Sequence, residues 1–254
     1  MKKNKVKHAL SNNIQTFGSW VTLSNPLIPE IMSAANFDWL CIDMEHSSLE
    51  LSDVLNLIIS VENNDMIPLV RVGENNANLI KRVMDAGAYG VIIPNVTSTD
   101  EVKDAINAVK YPLEGTRGVG LYRAQKYGKS FNEYLKWLKN ESIIIIQIEH
   151  IDSVNNIDEI FSIPGIDGFM IGPYDLSGSL GKPGELEHPL VNDAINVILK
   201  AGEKHNITAG YHVVASDPDA ALTYRNKGFK FLGISLDSIL LGDAAISAMS
   251  KVSE

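Results

Sequence analysis

Cysteine is almost absent from these 254 residues, and the one thiol, Cys41, can form no disulfide within the chain. Basic residues are scarce too, with 22 Lys and Arg against 31 Asp and Glu and a formal net charge of -9. Such a surface repels a phosphate backbone, so nucleic acid is not an expected partner. Long apolar runs are missing, since the longest, such as residues 143–146, fall far short of the ~18 residues that cross a bilayer. No membrane partner is expected. The lysines near the start (Lys2, Lys3, Lys5, Lys7) lead into Ser11-Asn12-Asn13 without an apolar stretch behind them, which argues against a secretory leader and for a soluble, cytoplasmic protein.

Several catalytic signatures are lacking as well. Gly181-Lys182-Pro183 has neither the Ser/Thr nor the upstream glycine of a P-loop, and no Gly-x-Gly-x-x-Gly leads a strand into a helix. There is no Gly-x-Ser-x-Gly elbow and no His-Glu-x-x-His, and Cys41 lies inside an apolar run where a buried, inert thiol is the expectation. No lysine falls at the carboxyl end of an expected strand, where a Schiff-base nucleophile belongs.

Apolar runs of strand length alternate with stretches of helical period. Strands are expected at 16–23, 38–43, 66–72, 89–94, 143–149, 167–172, 207–213 and 229–235. Helices are expected at 49–61, 76–86, 99–109, 191–204, 218–227 and 238–249. Gly87 and Gly228 mark helix stops, and Asp217-Pro218 reads as an N-cap followed by proline in the first turn. Strands this apolar are buried on both faces, as parallel strands covered by helices are. The pattern predicts an α/β protein, a (β/α)8 TIM barrel forming a single domain over 1–254, with a doubly wound open sheet as the alternative fold. Residues 111–130 fit neither period and form a long, polar, glycine-bearing loop.

In a barrel the chemistry sits at the carboxyl ends of the strands. There the second strand ends in Asp43-Met44-Glu45-His46, the third in Arg71, the fifth in Gln147-Ile148-Glu149-His150, the sixth in Gly172-Pro173-Tyr174-Asp175 and the seventh in Tyr211-His212. Glu149 and Asp175 close consecutive strands and can face one point, an all-oxygen site suited to Mg²⁺ or Mn²⁺ with coordination positions left for substrate. Singly, each acid is as readily a helix cap or half of an ion pair. The helix beginning at Gly172-Pro173 offers free N–H groups that could hold a carboxylate. Arg71 serves an anion or pairs with Asp43, and the two roles are compatible. His46, near Asp43 or Glu45, is the candidate base. His8, His188, His205 and His150 read as solvated.

Together, Asp43-x-Glu45-His46, Arg71, Arg117-Gly118-Val119-Gly120, Gln147-Ile148-Glu149 and Gly172-Pro173-Tyr174-Asp175-Leu176-Ser177 resemble the HpcH/HpaI family of metal-dependent (class II) pyruvate aldolases. The similarity runs from Gly18-Ser19-Trp20 to the last expected helix. It implies a (β/α)8 barrel that cleaves 2-oxo-4-hydroxy acids to pyruvate and an aldehyde, or condenses them. The substrates it implies include 2,4-dihydroxyheptenedioate, 2-keto-3-deoxyrhamnonate and 2-dehydro-3-deoxyglucarate. By the same resemblance Glu149 and Asp175 are the protein ligands of a divalent metal, Mg²⁺ or Mn²⁺ with Co²⁺ as a further candidate, which chelates the 2-oxo acid. Arg71 stabilises the enolate oxygen, His46 assisted by Asp43 takes the 4-hydroxyl proton, and the N–H groups after Gly172 hold the carboxylate. Gln147, Gly172, Pro173, Tyr174 and His212 are the implied substrate contacts. Asp85 resembles an acid given to a neighbouring subunit, in a homohexamer whose last helix is exchanged. His212 replaces a commoner apolar residue, and Arg123, Tyr122 and Tyr127 in the long loop are candidates for gripping a sugar-acid tail. The rival readings are a citrate-lyase-like carbon–carbon lyase acting on a thioester and a non-catalytic binding or assembly barrel.

Overall fold

The computed structural model describes residues 1–250 and Val252. Eight strands, β1 (Thr16–Val21), β2 (Trp39–Asp43), β3 (Ile67–Arg71), β4 (Gly90–Ile93), β5 (Ile143–Ile148), β6 (Gly168–Ile171), β7 (Thr208–Val213) and β8 (Phe231–Leu236), pair in parallel and in chain order. Pairing of β1 with β8 closes the sheet, so the fold is a (β/α)8 TIM barrel and the open-sheet alternative is excluded. The helices are α1 (Lys5–Ser11), α2 (Leu27–Ser33), α3 (Leu51–Asn63), α4 (Ala77–Ala86), α5 (Thr99–Val109) and α6 (Phe131–Glu141). They continue as α7 (Ile151–Asn155), α8 (Ile157–Ser162), α9 (Pro173–Ser179), α10 (Pro189–His205), α11 (Pro218–Asn226) and α12 (Asp237–Ser250).

Local chemistry sets the boundaries. Asn76 caps α4 through the N–H groups of Asn78 and Leu79, and Gly87 ends it in the left-handed region at φ 108°. Ser98 and Glu101 form a reciprocal capping box on α5, and Asp217 with Pro218 opens α11 as expected. The apolar period does not announce α1, α2, α7 or α8, each seven residues or shorter. Helices this short draw their stability from docking rather than from a repeated pattern. Residues 111–130 are irregular apart from one 3-10 turn, Arg123–Gln125.

Side chains alternate between the barrel interior and the helix layer. Following the register around the barrel, Arg71 pairs with Ile92 and Ile92 with Ile145, while Gln147 pairs with Met170 and Met170 with Gly210. Each second strand therefore lags by two residues, which brings Trp20, Arg71, Gln147 and His212 into one inward layer just below the carboxyl-terminal rim. Deeper down, Trp39 stacks on Phe231 with centroids 4.2 Å apart, and both are fully buried. Gly18 makes room for this pair, because a side chain there would run into the Trp39 ring.

Candidate active site

The polar layer opens into a mouth of about 350 Å³ lined by Trp20, Thr22, Asp43, His46, Arg71, Gln147, Gly172, Pro173, Tyr174, Asp175, His212 and Leu236, among others. The structure thus brings together most of the expected site residues.

Arg71 ends β3 and is 7% exposed. Its Nε donates to Asp43 Oδ1 at 2.9 Å and its Nη2 to Asp43 Oδ2 at 2.6 Å, a two-pronged grip. The guanidinium carbon lies 4.4 Å from the Trp20 ring centroid. Asp43 Oδ1 also accepts from the backbone N–H groups of Glu45 (3.0 Å) and His46 (3.3 Å). Burial pushes the Asp43 carboxyl up, but the hydrogen bonds and charge of Arg71 prevail and hold it below the usual carboxylate range.

The ring of His46 makes no hydrogen bond to Asp43, whose carboxylate accepts from Arg71 and from backbone N–H groups. Its Nε2 instead lies 3.8 Å from Glu45 Oε2. Glu45 also sits 3.1 Å from Arg71 Nη1, in an ion pair without hydrogen-bond geometry that leaves Oε2 without a hydrogen-bond partner. Burial pushes Glu45 up to about 7 against the pull of Arg71, with Asp43 and Asp175 adding to the rise.

Glu149 follows β5 and is buried just behind the wall of the mouth, with its Oε2 against Gly172, where any side chain would collide with it. Oε1 accepts from the Asn95 N–H at 2.7 Å, and Gln147 Nε2 donates to Oε2. Burial pushes Glu149 up to about 7 despite the N–H donors, and the charges of Glu45 and Asp175 push the same way. Asp175, in the first turn of α9, is exposed at the rim. A divalent cation relieves the crowding of negative charge that raises Glu149. The donor set fits a hard ion, and Gly172 keeps the space beside Glu149 clear. Among the described residues no three His, Cys, Asp or Glu side chains converge on one point, so an ion held by Glu149 and Asp175 draws its other ligands from elsewhere.

His212 sits across the layer, tilted against Trp20 with centroids 5.0 Å apart and its Nε2 3.3 Å from the Ser235 carbonyl. Burial, then the charge of Arg71, lowers it to about 4, so the ring is neutral at pH 7.

Two expected residues lie elsewhere. Arg123 does not reach this mouth: its Nη2 pairs with Glu62, its Nη1 donates to the Ala86 carbonyl at 3.2 Å, and it lines a separate cavity of about 810 Å³ with Tyr127. The loop carrying it follows a helix, so it folds to the amino-terminal end of the barrel, opposite the mouth. Asp85, at the end of α4, is likewise outside this mouth, beside Gly120, with one oxygen buried and unpartnered. Burial raises its carboxyl against the pull of Arg117 and Lys81.

Sequence reasoning gave no site role to Trp20 or Thr22 and gave Glu45 only a share in tuning His46. The signal for Trp20 was its period-two spacing from Gly18.

The chain is similar to known proteins along nearly its whole length. The model of the HpcH/HpaI aldolase/citrate lyase family matches residues 16–244. A hydroxypyruvate/pyruvate aldolase of Paraburkholderia phytofirmans is 35% identical over 256 residues, covering 98% of this chain and 97% of the relative. A 5-keto-4-deoxy-D-glucarate aldolase of Escherichia coli is 34% identical over 235 residues, covering 92% and 91%. A crystal structure of an HpcH/HpaI aldolase/citrate lyase family protein from Burkholderia cenocepacia superposes with a TM-score of 0.93 at 31% identity, over 99% of this chain and 100% of that one. With the family model running through the whole barrel and about a third of residues shared along nearly the full length, this chain belongs to the HpcH/HpaI aldolase/citrate lyase family.

Proposed function

We propose that this chain is a divalent-metal-dependent aldolase that cleaves a 2-oxo-4-hydroxy acid to pyruvate and an aldehyde, and runs the reverse condensation. The observation that carries this reading is Arg71, gripped by Asp43 and beside Glu45, in a mouth that Asp175 also lines and behind which Glu149 feels the charge of Asp175. Glu149 and Asp175 would hold Mg²⁺, Mn²⁺ or Co²⁺, which when bound supplies Lewis acidity toward the 2-oxo acid.

The chain's own residues do the rest. Arg71, fixed in angle by Asp43 and Trp20, orients the anionic 2-oxo acid and opposes the negative charge that collects on the pyruvate fragment as the C3–C4 bond breaks. His46 takes the 4-hydroxyl proton as that hydroxyl becomes the aldehyde carbonyl, with Glu45 beside its ring to balance the charge it gains. Gln147 holds Glu149, and Gly172, Pro173 and Tyr174 frame the pyruvate side. His212 faces the fragment that becomes the aldehyde.

Assembly belongs to the same reading. Leu241 of α12 is 63% exposed and residues 243–250 are exposed throughout, with Ile246 at 68%, although α12 packs on β1 and β8. We assign this helix to an exchanged contact in a homohexamer, in which Asp85 reaches a neighbour's mouth. Among the described residues no helix is long and apolar enough to cross a membrane, and the free Cys41 accords with a reducing cytoplasm.

The test is pyruvate release from 2-oxo-4-hydroxy acids with Mn²⁺. Chelator should abolish it, and borohydride with pyruvate should leave every lysine unlabelled. A lysine adduct would overturn the proposal.

A further inference from the structure

Asp237, the first residue of α12, is 5% exposed and lies outside the mouth, yet its carboxylate collects donors from the segment that forms one wall of it. The Thr22 N–H donates to Oδ1 at 3.0 Å and Oδ2 at 2.9 Å, the Thr22 hydroxyl to Oδ1 at 2.6 Å and the Leu23 N–H to Oδ2 at 3.0 Å. The Ser238 N–H completes the set at 2.9 Å. Among the described residues no basic side chain pairs with it, so dipoles alone hold this buried charge.

The need for it is topological. The register between β1 and β8 shifts between Gly18 and Trp20, and β1 ends at Val21. Beyond that irregularity the backbone of β8 offers Thr22 and Leu23 no ladder, and the Asp237 carboxylate accepts their N–H groups instead.

The mouth has two unlike halves. Asp43, His46, Arg71, Gln147 and Asp175 form a charged and polar half, whereas Trp20, Thr22, His212, Val214 and Leu236, from the β1, β7 and β8 ends, contribute no charge at neutral pH. If the 2-oxo acid occupies the charged half, the aldehyde fragment must meet the other, of which Thr22 is a polar member. We infer that Asp237 is a positioning residue that fixes the aldehyde-facing wall of the mouth through Thr22 and Leu23. This inference rests on the aldolase reading above.

The test separates the two. Wild-type protein with saturating Mn²⁺ is assayed for exchange of the pyruvate methyl protons with deuterium, which needs no aldehyde, and for condensation of pyruvate with glycolaldehyde. Asp237→Asn swaps an accepting oxygen for an NH₂ that faces the Thr22 or Leu23 N–H. The glycolaldehyde KM should rise about tenfold while kcat and proton exchange stay within about threefold of wild type. Thr22→Val, which keeps shape but loses the hydroxyl donor, should raise the same KM by about threefold and carries the test if the Asn variant does not fold. A folded Asp237→Asn protein with wild-type KM, whatever its Tm, overturns the inference. So does a parallel loss of exchange and condensation, and so does an unchanged KM in Thr22→Val when the Asn variant cannot be obtained. Wild-type protein that neither exchanges nor condenses overturns the aldolase reading itself, and this inference with it.

Discussion

Arg71 meets Asp43 edge to edge, with Nε and Nη2 donating to separate carboxylate oxygens at 2.9 and 2.6 Å while the flat face of the guanidinium rests on Trp20. Three of its directions are thereby fixed, and Nη1 is left toward Glu45. A lysine cannot reproduce this geometry, because an ammonium has neither the fork nor the flat face. Arg71→Lys should therefore lower kcat/KM for cleavage by a factor on the order of 10² to 10³, as for other lost donors to developing charge. Pyruvate proton exchange should fall with it. Exchange at the wild-type rate, followed by NMR, would show that Arg71 does not serve the pyruvate fragment.

His46 has the narrower task. Pyruvate lacks the 4-hydroxyl, so His46→Ala should slow cleavage by a factor on the order of 10² to 10⁴ and leave proton exchange less affected. Both reactions can be read on one preparation, one by NMR and the other by pyruvate release. Equal losses in the two would mean that one base serves both steps.

Metal binding should be linked to protons with a definite sign. In the metal-free protein Glu45 and Glu149 are raised from 4.5 to about 7. Between those values the folded chain keeps protons that the unfolded chain has released. These two groups therefore favour the fold below pH 4.5, and that contribution is lost as pH rises through 7. An ion that needs Glu149 ionised must displace its proton at pH 6, weakening apparent affinity by about tenfold relative to pH 8 for each such carboxyl. The rise in Tm on adding Mn²⁺ should accordingly be larger at pH 8 than at pH 6, and a rise independent of pH would contradict the assignment of Glu149 as a ligand.

The exposed apolar residues of α12 predict an assembly in solution. Sedimentation at micromolar concentration should give a species well above the 27.8 kDa of one chain, and charges placed at Leu241 and Ile246 should shift it toward monomer. A wild-type protein that sediments only as monomer would refute the exchanged helix.

Much of this molecule can be read in the linear chain, and the residues where reading stops are instructive. The strands are visible because burial on both faces makes them continuously apolar, and Asp43 and Arg71 stand out as charges ending two such runs. Arg123 is misread when it is considered by composition alone. Its loop follows α5, and a segment leaving a helix returns to the barrel floor, so its position in the βα alternation already opposed a role at the mouth. The partner of His46 was not decidable from spacing, since Asp43 and Glu45 are both near it in sequence. The choice falls to Arg71, which arrives from another strand and takes Asp43 for itself. Asp237 is invisible for a similar reason, because the N–H groups it satisfies lie more than two hundred residues away.

The stacked Trp39 and Phe231 beneath the polar layer turn the barrel into a cup with a solid base. Whatever enters must leave by the doorway it used, for there is no exit behind it. Pyruvate and aldehyde therefore share one passage with incoming substrate, and either product lingering in it keeps the next molecule waiting outside.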